Sequence, residues 1–275
     1  MSSAAAHTEK PVRHILSLSG GKDSTALAIY MKDRVPEMEY VFCDTEKELP
    51  ETYEYMQKLE AYLGKEIVVL KHGGKGFDEL LKMRGGYLPS AQARWCTEYL
   101  KIKPFEKFIG DDQCISYIGI RADEKHRKGY ISTKTNIQAK YPFIEDGLVK
   151  EDIFKILESS GIGIPDYYQW RSRSGCYFCF FQRRFEWVGL LVNHPDLYQL
   201  AMEYEKISSS EGVHYTWAQS ESLSELMAPE RIEKIKREYD AEIARVVFKK
   251  NQTIANQLAQ NDELVGDEGC LVCHL

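Results

Sequence analysis

The stretch HILSLSGGKDSTALAIYM at positions 14–31 decides the fold. It begins with an apolar run typical of a buried strand, turns through two glycines, and continues as an apolar helix from Thr25. Glycines let the backbone turn tightly and approach a ligand closely. A helix N-terminus offers free N–H groups and a partial positive charge to an anion. The loop therefore predicts a phosphate site, with Lys22 as its cation and the Ser19 and Ser24 hydroxyls as donors.

A plainer interpretation of this loop is an ordinary turn whose helix is capped by Asp23 or Ser24. The agreement of the loop with its flanking strand and helix favours the phosphate site. The sequence lacks the pattern G-x-x-x-x-G-K-[ST], so it does not predict the P-loop of kinases and GTPases.

Strands and helices alternate outward from the loop, which predicts a parallel sheet with helices on both faces. After about residue 145 the pattern becomes helical. We therefore expect an α/β nucleotide-binding domain at 1–145 and a helical, cysteine-bearing portion at 146–275 packed on it. The predicted strands are 14–18, 40–44, 67–70 and 115–120, and the predicted helices are 25–31, 51–63, 77–82, 98–109, 150–159, 185–192, 194–208 and 229–258.

Composition limits the classes of partner. The 275 residues carry a formal net charge of −6, which argues against strong, independent nucleic-acid binding. A local basic stretch, residues 125–128 with Lys134, has the charge to contact a phosphodiester backbone, although a solvated loop explains it equally well. No run approaches the roughly 20 apolar residues of a membrane span, and residues 1–10 lack the apolar region of a secretory signal. We expect a cytoplasmic location and no membrane contact.

Seven cysteines are present, and this odd number in a cytosolic chain does not predict a disulfide scaffold. Two pairs have the C-x-x-C spacing of metal, cluster or redox sites. The first pair, Cys176 and Cys179, together with Cys96, suits an iron–sulfur cluster without an obvious fourth ligand, or a zinc site. Burial of the pair as small apolar residues is the remaining interpretation. We favour a [4Fe–4S] cluster.

The fourth ligand stays open. We expect Cys43 and Cys114 to pack in the core, because each lies in or at a predicted strand. The C-terminal tail offers Cys270, Cys273 and His274, and a terminal thiol near an imidazole also suits sulfur transfer. Cys270 and Cys273 are therefore possible sulfur-carrying thiols. A tail with incidental thiols is the alternative.

Residues 19–24 match the SGGxDS signature of the PP-loop ATP pyrophosphatase superfamily. Further segments resemble its phosphoadenosine-phosphosulfate (PAPS) reductase-like branch, and the resemblance covers about residues 12–190. It implies an adenine-nucleotide α-hydrolase-like sheet, and a loop that holds the pyrophosphate of ATP with Mg²⁺ while a substrate is adenylated. The matching segments are Phe42–Glu46, Arg94–Pro104, Gly119–Glu124 and Gly175–Cys179.

The resemblance also implies which residues form the site. The catalytic candidates are Lys22, Asp23 and Arg121. Arg121 ends a predicted strand, where ligands bind in open α/β sheets, and its planar fork suits phosphate oxygens; a salt bridge to Asp123 or Glu124 is the alternative. Asp44 suits ribose hydroxyls or Mg²⁺, or a plain loop role. The nucleotide-binding candidates are Ser19, Gly20, Gly21, Lys22, Asp23, Ser24, Asp44, Gly119 and Arg121.

Within that branch the chain resembles the DndC and SspD proteins of DNA phosphorothioation. This implies ATP-driven replacement of a backbone phosphate oxygen by sulfur. It also implies a cysteine desulfurase as sulfur donor, other DNA-modification proteins as partners, and DNA contact through a complex. One alternative is a thiol-dependent PAPS or APS reductase that makes sulfite, which the tail supports. Two others are a tRNA thiolation enzyme and a non-enzymatic, zinc-holding interaction module.

Overall fold

The computed structural model describes residues 10–124, 127, 129, 132–207 and 215–250. Its centre is a five-stranded sheet in the order β3-β2-β1-β4-β5, with every neighbouring pair parallel. The strand that precedes the glycine loop, residues 19–24, is therefore the central one. The strands are β1 (Arg13–Leu18), β2 (Glu39–Cys43), β3 (Ile67–Leu70), β4 (Cys114–Tyr117) and β5 (Ile137–Lys140).

Helices connect the strands and form most of the described chain after β5. None of the described helices is long and apolar enough to cross a membrane. A π-helix at Glu98–Ile102 separates α4 from α5, and a 3₁₀ turn spans Asp166–Gln169. The α-helices are α1 (Lys22–Met31), α2 (Pro50–Leu63), α3 (Phe77–Met83), α4 (Trp95–Thr97), α5 (Lys103–Ile109), α6 (Pro142–Glu145), α7 (Lys150–Ser159), α8 (Arg184–Asn193), α9 (Pro195–Ile207), α10 (Leu223–Leu226) and α11 (Pro229–Lys250).

Both faces of the sheet are covered, as the alternation predicts. Leu16 and Leu18 of β1 point to one face and pack in a core with residues of α1, α2 and α7. Ile15 points to the other face and packs against Phe105 and Ile109 of α5. Because successive side chains of a strand alternate between faces, one apolar run supplies both cores. The predicted α/β fold with helices on both faces and a helical C-terminal portion is confirmed.

A third core is mostly aromatic and contains residues from both parts of the chain. Phe77 of α3 stacks on Trp95, and its ring centroid lies 4.4 Å from that of Phe178. Trp217 stacks on Phe178 at 4.7 Å, and its indole N–H donates to the Ala201 carbonyl at 2.9 Å. The two parts of the chain are thus joined by shared aromatic packing. The domain boundary at residue 145 stays a prediction.

Several elements differ from those predicted. The strand expected at 115–120 ends at Tyr117, because residues 118–120 leave the sheet toward the glycine loop. The edge strand β5 was not expected, since its sequence IQAK lacks an apolar run and its side chains are only half-buried or exposed. The helix expected at 98–109 is a π-helix followed by α5. The helix expected at 229–258 is described as far as Lys250, and its remainder lies outside the described residues.

Candidate functional site

The glycine loop lies at the carboxyl end of the central strand. Gly21 is the N-cap residue of α1, and no side chain caps this helix end, so the predicted alternative of a cap by Asp23 or Ser24 is wrong. Gly20 has φ +73°, and a Cβ atom there would lie 2.5 Å from Cγ2 of Thr52. Only glycine fits this position without strain. The N-cap residue therefore contributes no side chain, and the backbone N–H groups at this helix N-terminus suit an anion.

Serine hydroxyls hold the shape of the loop. The backbone N–H of Ser19 donates to Oγ of Ser24 at 3.2 Å, and that hydroxyl donates to the Gly21 carbonyl at 3.1 Å. Ser174, from the distant cysteine-bearing segment, donates to Oγ of Ser19 at 3.2 Å. All three side chains are buried. These bonds fix the loop before a ligand arrives, which reduces the cost of ordering it on binding.

A buried carboxylate lies between two cations beside the loop. Oδ2 of Asp23 accepts from Nζ of Lys22 at 3.0 Å, and Oδ1 accepts from Nη1 of Arg121 at 2.9 Å. Nε of Arg121 also donates to Asp123 at 3.0 Å, so the predicted alternative ion pair exists together with the pair to Asp23. The side chains of Lys22, Asp23 and Arg121 are 5%, 10% and 7% exposed. Asp23 thereby orients both cations at the helix N-terminus.

Gly119 brings Arg121 to this position. A Cβ atom at Gly119 would lie 3.1 Å from the carbonyl oxygen of Asp23. The residues that follow β4 therefore pack directly on the first turn of α1. Arg121 comes two residues after Gly119, so its guanidinium lies beside this turn. The predicted residues Lys22, Asp23, Gly119 and Arg121 are brought together.

Asp44 follows β2 and is held by its own loop, by α2 and by the residue after β3. Its Oδ1 accepts from the Tyr53 hydroxyl and from the Glu46 backbone N–H, both at 2.8 Å. Nζ of Lys71 lies 3.5 Å from Oδ2. These contacts fit the loop role, and the nucleotide role of Asp44 stays a prediction.

Two tyrosines of the 3₁₀ turn cover the glycine loop. The Tyr167 hydroxyl donates to the Gly20 carbonyl at 2.8 Å. The Tyr168 hydroxyl accepts from the backbone N–H of Lys22 at 3.2 Å, and its ring centroid lies 5.4 Å from Nζ of Lys22. A phosphate oxygen at the helix N-terminus would accept from the same backbone N–H. The sequence did not single out these tyrosines.

The C-x-x-C loop lies further along the same segment. The Cys179 N–H donates to the Cys176 carbonyl at 3.0 Å. The buried Arg171 side chain donates to the carbonyls of Gly175 at 2.9 Å and Cys176 at 2.7 Å. Sγ of Cys176 lies 3.1 Å from the Thr45 hydroxyl. Burial and the negative charge of Glu48 raise the pKa of the Cys176 thiol well above its ordinary value.

The other cysteines divide into three cases. Cys43 and Cys114 are buried in the sheet, as predicted, and burial raises the pKa of their thiols to about 12 and about 11. Cys96 lies in α4, partly buried against the aromatic core. Cys270, Cys273 and His274 lie outside the described residues.

The thiols of Cys96, Cys176 and Cys179 suit iron or zinc by their donor chemistry. The structure brings Cys176 and Cys179 into one loop. Among the described residues, however, no group of three or more His, Cys, Asp or Glu side chains is gathered closely enough to hold a metal ion. The metal role of these three cysteines stays a prediction.

The basic stretch predicted near residue 125 is described only in part. Nη1 of Arg127 lies 2.5 Å from Oε1 of Glu124, and Nζ of Lys134 donates to the Glu106 carbonyl at 3.4 Å. Both side chains are thus engaged by neighbouring acceptors. Lys125, His126 and Lys128 lie outside the described residues.

A family model matches much of this chain. The model of the phosphoadenosine phosphosulfate reductase domain matches residues 13–174, which is more than half of the chain. The chain belongs to the phosphoadenosine phosphosulfate reductase domain family. The match begins at β1 and includes the glycine loop, the Gly119–Arg121 segment and both tyrosines.

Three curated proteins are similar in sequence. Two are uncharacterized proteins of Methanocaldococcus jannaschii. One is 34% identical over 46% of this chain and 28% of its own length, and the other is 26% identical over 66% and 45%. The chain thus spans less than half the length of these two relatives. The third, an uncharacterized 37.8 kDa protein of Escherichia phage 186, is 25% identical over 70% of this chain and 75% of its own.

Two solved structures are similar in fold. The PAPS reductase from Candida auris, solved as a phosphate complex, is 15% identical, covers 62% of this chain and 84% of its own, and has a TM-score of 0.48. The U34-tRNA thiolase NcsA from Methanococcus maripaludis, solved with its [4Fe–4S] cluster, is 14% identical, covers 75% of both chains and has a TM-score of 0.42.

Proposed function

We propose that this member of the PAPS reductase domain family is an ATP pyrophosphatase that activates an acceptor oxygen for replacement by sulfur. The acceptor we propose is the DNA backbone phosphate, as in DndC- and SspD-type phosphorothioation. The observation that carries the proposal is the helix N-terminus with a glycine as its N-cap residue, flanked by Lys22 and Arg121, both of which Asp23 orients. Such a site binds polyphosphate and stabilises charge that develops as pyrophosphate leaves.

Each residue then has a defined task. Gly20 and Gly21 let the phosphates approach the backbone N–H groups of α1. Lys22 and Arg121 offset the phosphate charge, and Arg121 adds the planar geometry that matches two oxygens at once. Asp23 holds both cations in place and so limits their movement during the reaction. Asp44 is the proposed carboxylate for Mg²⁺, which would offset further phosphate charge.

Sulfur handling is assigned to the cysteines. Cys96, Cys176 and Cys179 are the proposed metal ligands, for a [4Fe–4S] cluster or for zinc, and the metal would supply a thiophilic binding position for sulfur. Cys270 and Cys273 are the proposed sulfur-carrying thiols. A cysteine desulfurase would supply the sulfur. Other DNA-modification proteins would bind the DNA, because a net charge of −6 does not favour DNA binding by this chain alone.

A turnover assay tests the proposal. Anaerobically purified protein is incubated with ATP, a desulfurase with labelled cysteine, and either DNA or tRNA. We expect pyrophosphate release and label in DNA. Arg121→Ala should lower the rate by about a hundredfold or more, because a charge that stabilises the leaving group is lost. Lys155→Ala, at an exposed lysine on α7, is the matched control and should keep the wild-type rate.

The family match also supports a second function, a thiol-dependent PAPS or APS reductase. This enzyme would release sulfite from PAPS with thioredoxin and would need no ATP. Sulfite release without pyrophosphate release would overturn the first proposal in favour of this one. Label in tRNA rather than DNA would identify a tRNA thiolation enzyme instead. Zinc-bound protein with neither product would identify an interaction module.

A further inference from the structure

The segment between β3 and β4 carries a concentration of positive charge that the proposed mechanism does not use. Residues 71–109, from the end of β3 to the end of α5, contain eight lysines and arginines but four aspartates and glutamates. This stretch therefore has a net charge of +4, in a chain whose formal net charge is −6. A local surplus of this kind is typical of a surface that contacts a polyanion.

Tyr99 gathers several of these charges at one place. It lies in the π-helix, and its side chain is partly buried against the aromatic core. Cζ of Arg84 lies 5.1 Å from the centroid of the Tyr99 ring, and Nζ of Lys103 lies 3.6 Å from it. The His72 ring meets the same ring edge-on, with 5.5 Å between the centroids. An aromatic ring holds a cation in place without neutralising its charge.

Two further lysines extend the cluster. Nζ of Lys75 lies 3.7 Å from Sδ of Met83, the residue before Arg84. Nζ of Lys71, on the other side, lies 3.5 Å from Oδ2 of Asp44. Together these side chains form one continuous patch, here called the basic–aromatic surface. It consists of Lys71, His72, Lys75, Arg84, Tyr99 and Lys103.

The charge of the basic–aromatic surface is accessible to a ligand. Lys75 and Arg84 are exposed, and neither forms an ion pair within the part of the chain that the structure describes. Lys71 and Lys103 each pair with a glutamate at 2.7 Å, and the four side chains of these pairs are 44–52% exposed. Exposed ion pairs contribute little free energy. Phosphate oxygens can therefore replace the two carboxylates at low cost.

The basic–aromatic surface begins at the edge of the nucleotide site. In an open parallel sheet, ligands bind at the edge where the strands have their carboxyl ends. Lys71 follows β3 at this edge, Asp44 follows β2, and the glycine loop follows β1. A polyanion on the basic–aromatic surface would therefore reach the proposed Mg²⁺ carboxylate.

We propose that the basic–aromatic surface binds the phosphodiester backbone of duplex DNA and so holds the acceptor phosphate at the nucleotide site. The inference rests on the proposed function, in which a DNA phosphate accepts sulfur, and it assigns the surface that positions this phosphate. DNA carries about one negative charge per 1.7 Å of its axis, a density that several adjacent cations match. Lysine and arginine contacts to the backbone fix the position of a protein on DNA without reading its sequence. This contact adds to the binding of DNA by the partner proteins.

A DNA titration at several salt concentrations tests the inference without ATP. The full chain is titrated into a short fluorescent duplex, and the anisotropy is measured between about 50 and 200 mM salt. The double variant Lys75→Ala/Arg84→Ala should bind roughly tenfold more weakly at the lowest salt. Its plot of log affinity against log salt should also be less steep by about two, because each lost phosphate contact lowers the slope by nearly one.

The double variant Arg34→Ala/Lys155→Ala is the matched control, because it removes the same two charges from the chain. Arg34 lies 3.9 Å from a tyrosine ring centroid, as Arg84 lies near Tyr99, but it also pairs with Asp146 at 3.1 Å. Lys155 is an exposed lysine of α7. The control should keep the wild-type affinity and salt slope. Arg84→Lys, which keeps the charge, should retain most of the affinity. All four substituted side chains are exposed, so each variant should fold, as circular dichroism would verify.

Three results would overturn the inference. They are a wild type that does not bind the duplex at low salt, a Lys75→Ala/Arg84→Ala variant with the wild-type affinity and salt slope, and displacement of the duplex by polyglutamate at an equal concentration of charge. The last result would identify an acidic protein as the ligand of this surface. Absence of pyrophosphate release from ATP would refute the proposed function and leave these binding measurements unaffected.

Discussion

Gly119 sets the distance between β4 and the first turn of α1. A Cβ atom there would lie 3.1 Å from the Asp23 carbonyl oxygen and 3.3 Å from its carbon. These are backbone atoms, so Gly119→Ala must move the helix start together with Asp23. We expect ATP affinity, measured by calorimetry, to fall by about tenfold because a small displacement of binding groups is costly.

Gly64→Ala provides the comparison for this prediction. Gly64 has φ +64°, and a Cβ atom there would lie more than 4 Å from every described residue except its chain neighbours. The variant therefore loses about 1 kcal/mol of stability from backbone strain alone. Its ATP affinity should be unchanged. Equal affinities for Gly119→Ala and the wild type would show that this close packing does not position the loop.

Tyr168 competes with phosphate for one backbone N–H. Its hydroxyl accepts from Lys22 N–H in the described structure, so Tyr168→Phe frees this donor. A single hydrogen bond contributes about 0.5–1.5 kcal/mol, and we expect ATP to bind about two- to tenfold more tightly in titration calorimetry. Tyr167→Phe removes a bond to the Gly20 carbonyl instead and should not tighten binding. Weaker binding by Tyr168→Phe would mean that the hydroxyl holds the nucleotide.

At the scale of elements, Glu221 links α8 to α11. Its carboxylate pairs with Arg184 of α8 at 2.9 Å and with Arg231 of α11 at 2.8 Å. The hydrogen bond from Arg231, with that from Arg184, lowers the pKa of Glu221 to about 2. Because the folded-state pKa is below the ordinary value near 4.5, the stabilisation is complete above pH 4.5 and is lost as the pH falls toward 2.

Glu221→Gln should therefore reduce the free energy of unfolding at pH 7 by about 1–2 kcal/mol. The difference from the wild type should shrink between pH 4.5 and pH 2, as measured by urea unfolding. Glu233→Gln, at an exposed carboxylate 3.5 Å from Lys236, is the control and should change stability little. A difference that does not depend on pH would show that packing, not charge, accounts for the loss.

The elements that sequence predicted well are those with strong local patterns. β3 and α7 have the predicted bounds, because an apolar run and a 3.6-residue period define them. β5 was missed because an edge strand gains its hydrogen bonds from β4 rather than from its own apolar residues. The π-helix was missed because its sequence EYLKI has ordinary helical composition.

At the scale of the molecule, one segment joins the glycine loop to the cysteine loop. Tyr167 and Tyr168 contact the first loop, and Arg171 holds the second through the carbonyls of Gly175 and Cys176. Displacement of Tyr168 by nucleotide would be transmitted along this short stretch. We expect a non-hydrolysable ATP analogue to change the alkylation rates of Cys176 and Cys179 several-fold, measured by mass spectrometry of the labelled peptides. Cys114, buried in the sheet, is the internal reference.

Unchanged alkylation at saturating nucleotide would show that the two loops are independent.

The same contacts explain which site residues could not be predicted from the sequence. The glycine loop and Arg121 belong to short motifs, so the chemistry of each is visible locally. Tyr168 lies 146 residues from Lys22, and Cys176 lies 128 from Glu48. No local pattern indicates such pairs, because the fold alone brings them together.

The π-helix at Glu98–Ile102 has a consequence for how this chain tolerates length changes. A π turn carries one more residue than an α turn, so this stretch has the geometry of a single-residue insertion in a continuous helix from α4 to α5. Deleting one of its residues would restore the α period, and because the wide turn absorbs the extra residue, Cys96 would keep its orientation relative to α5. Homologues one residue shorter here would then pack the position of Cys96 against the same aromatic core.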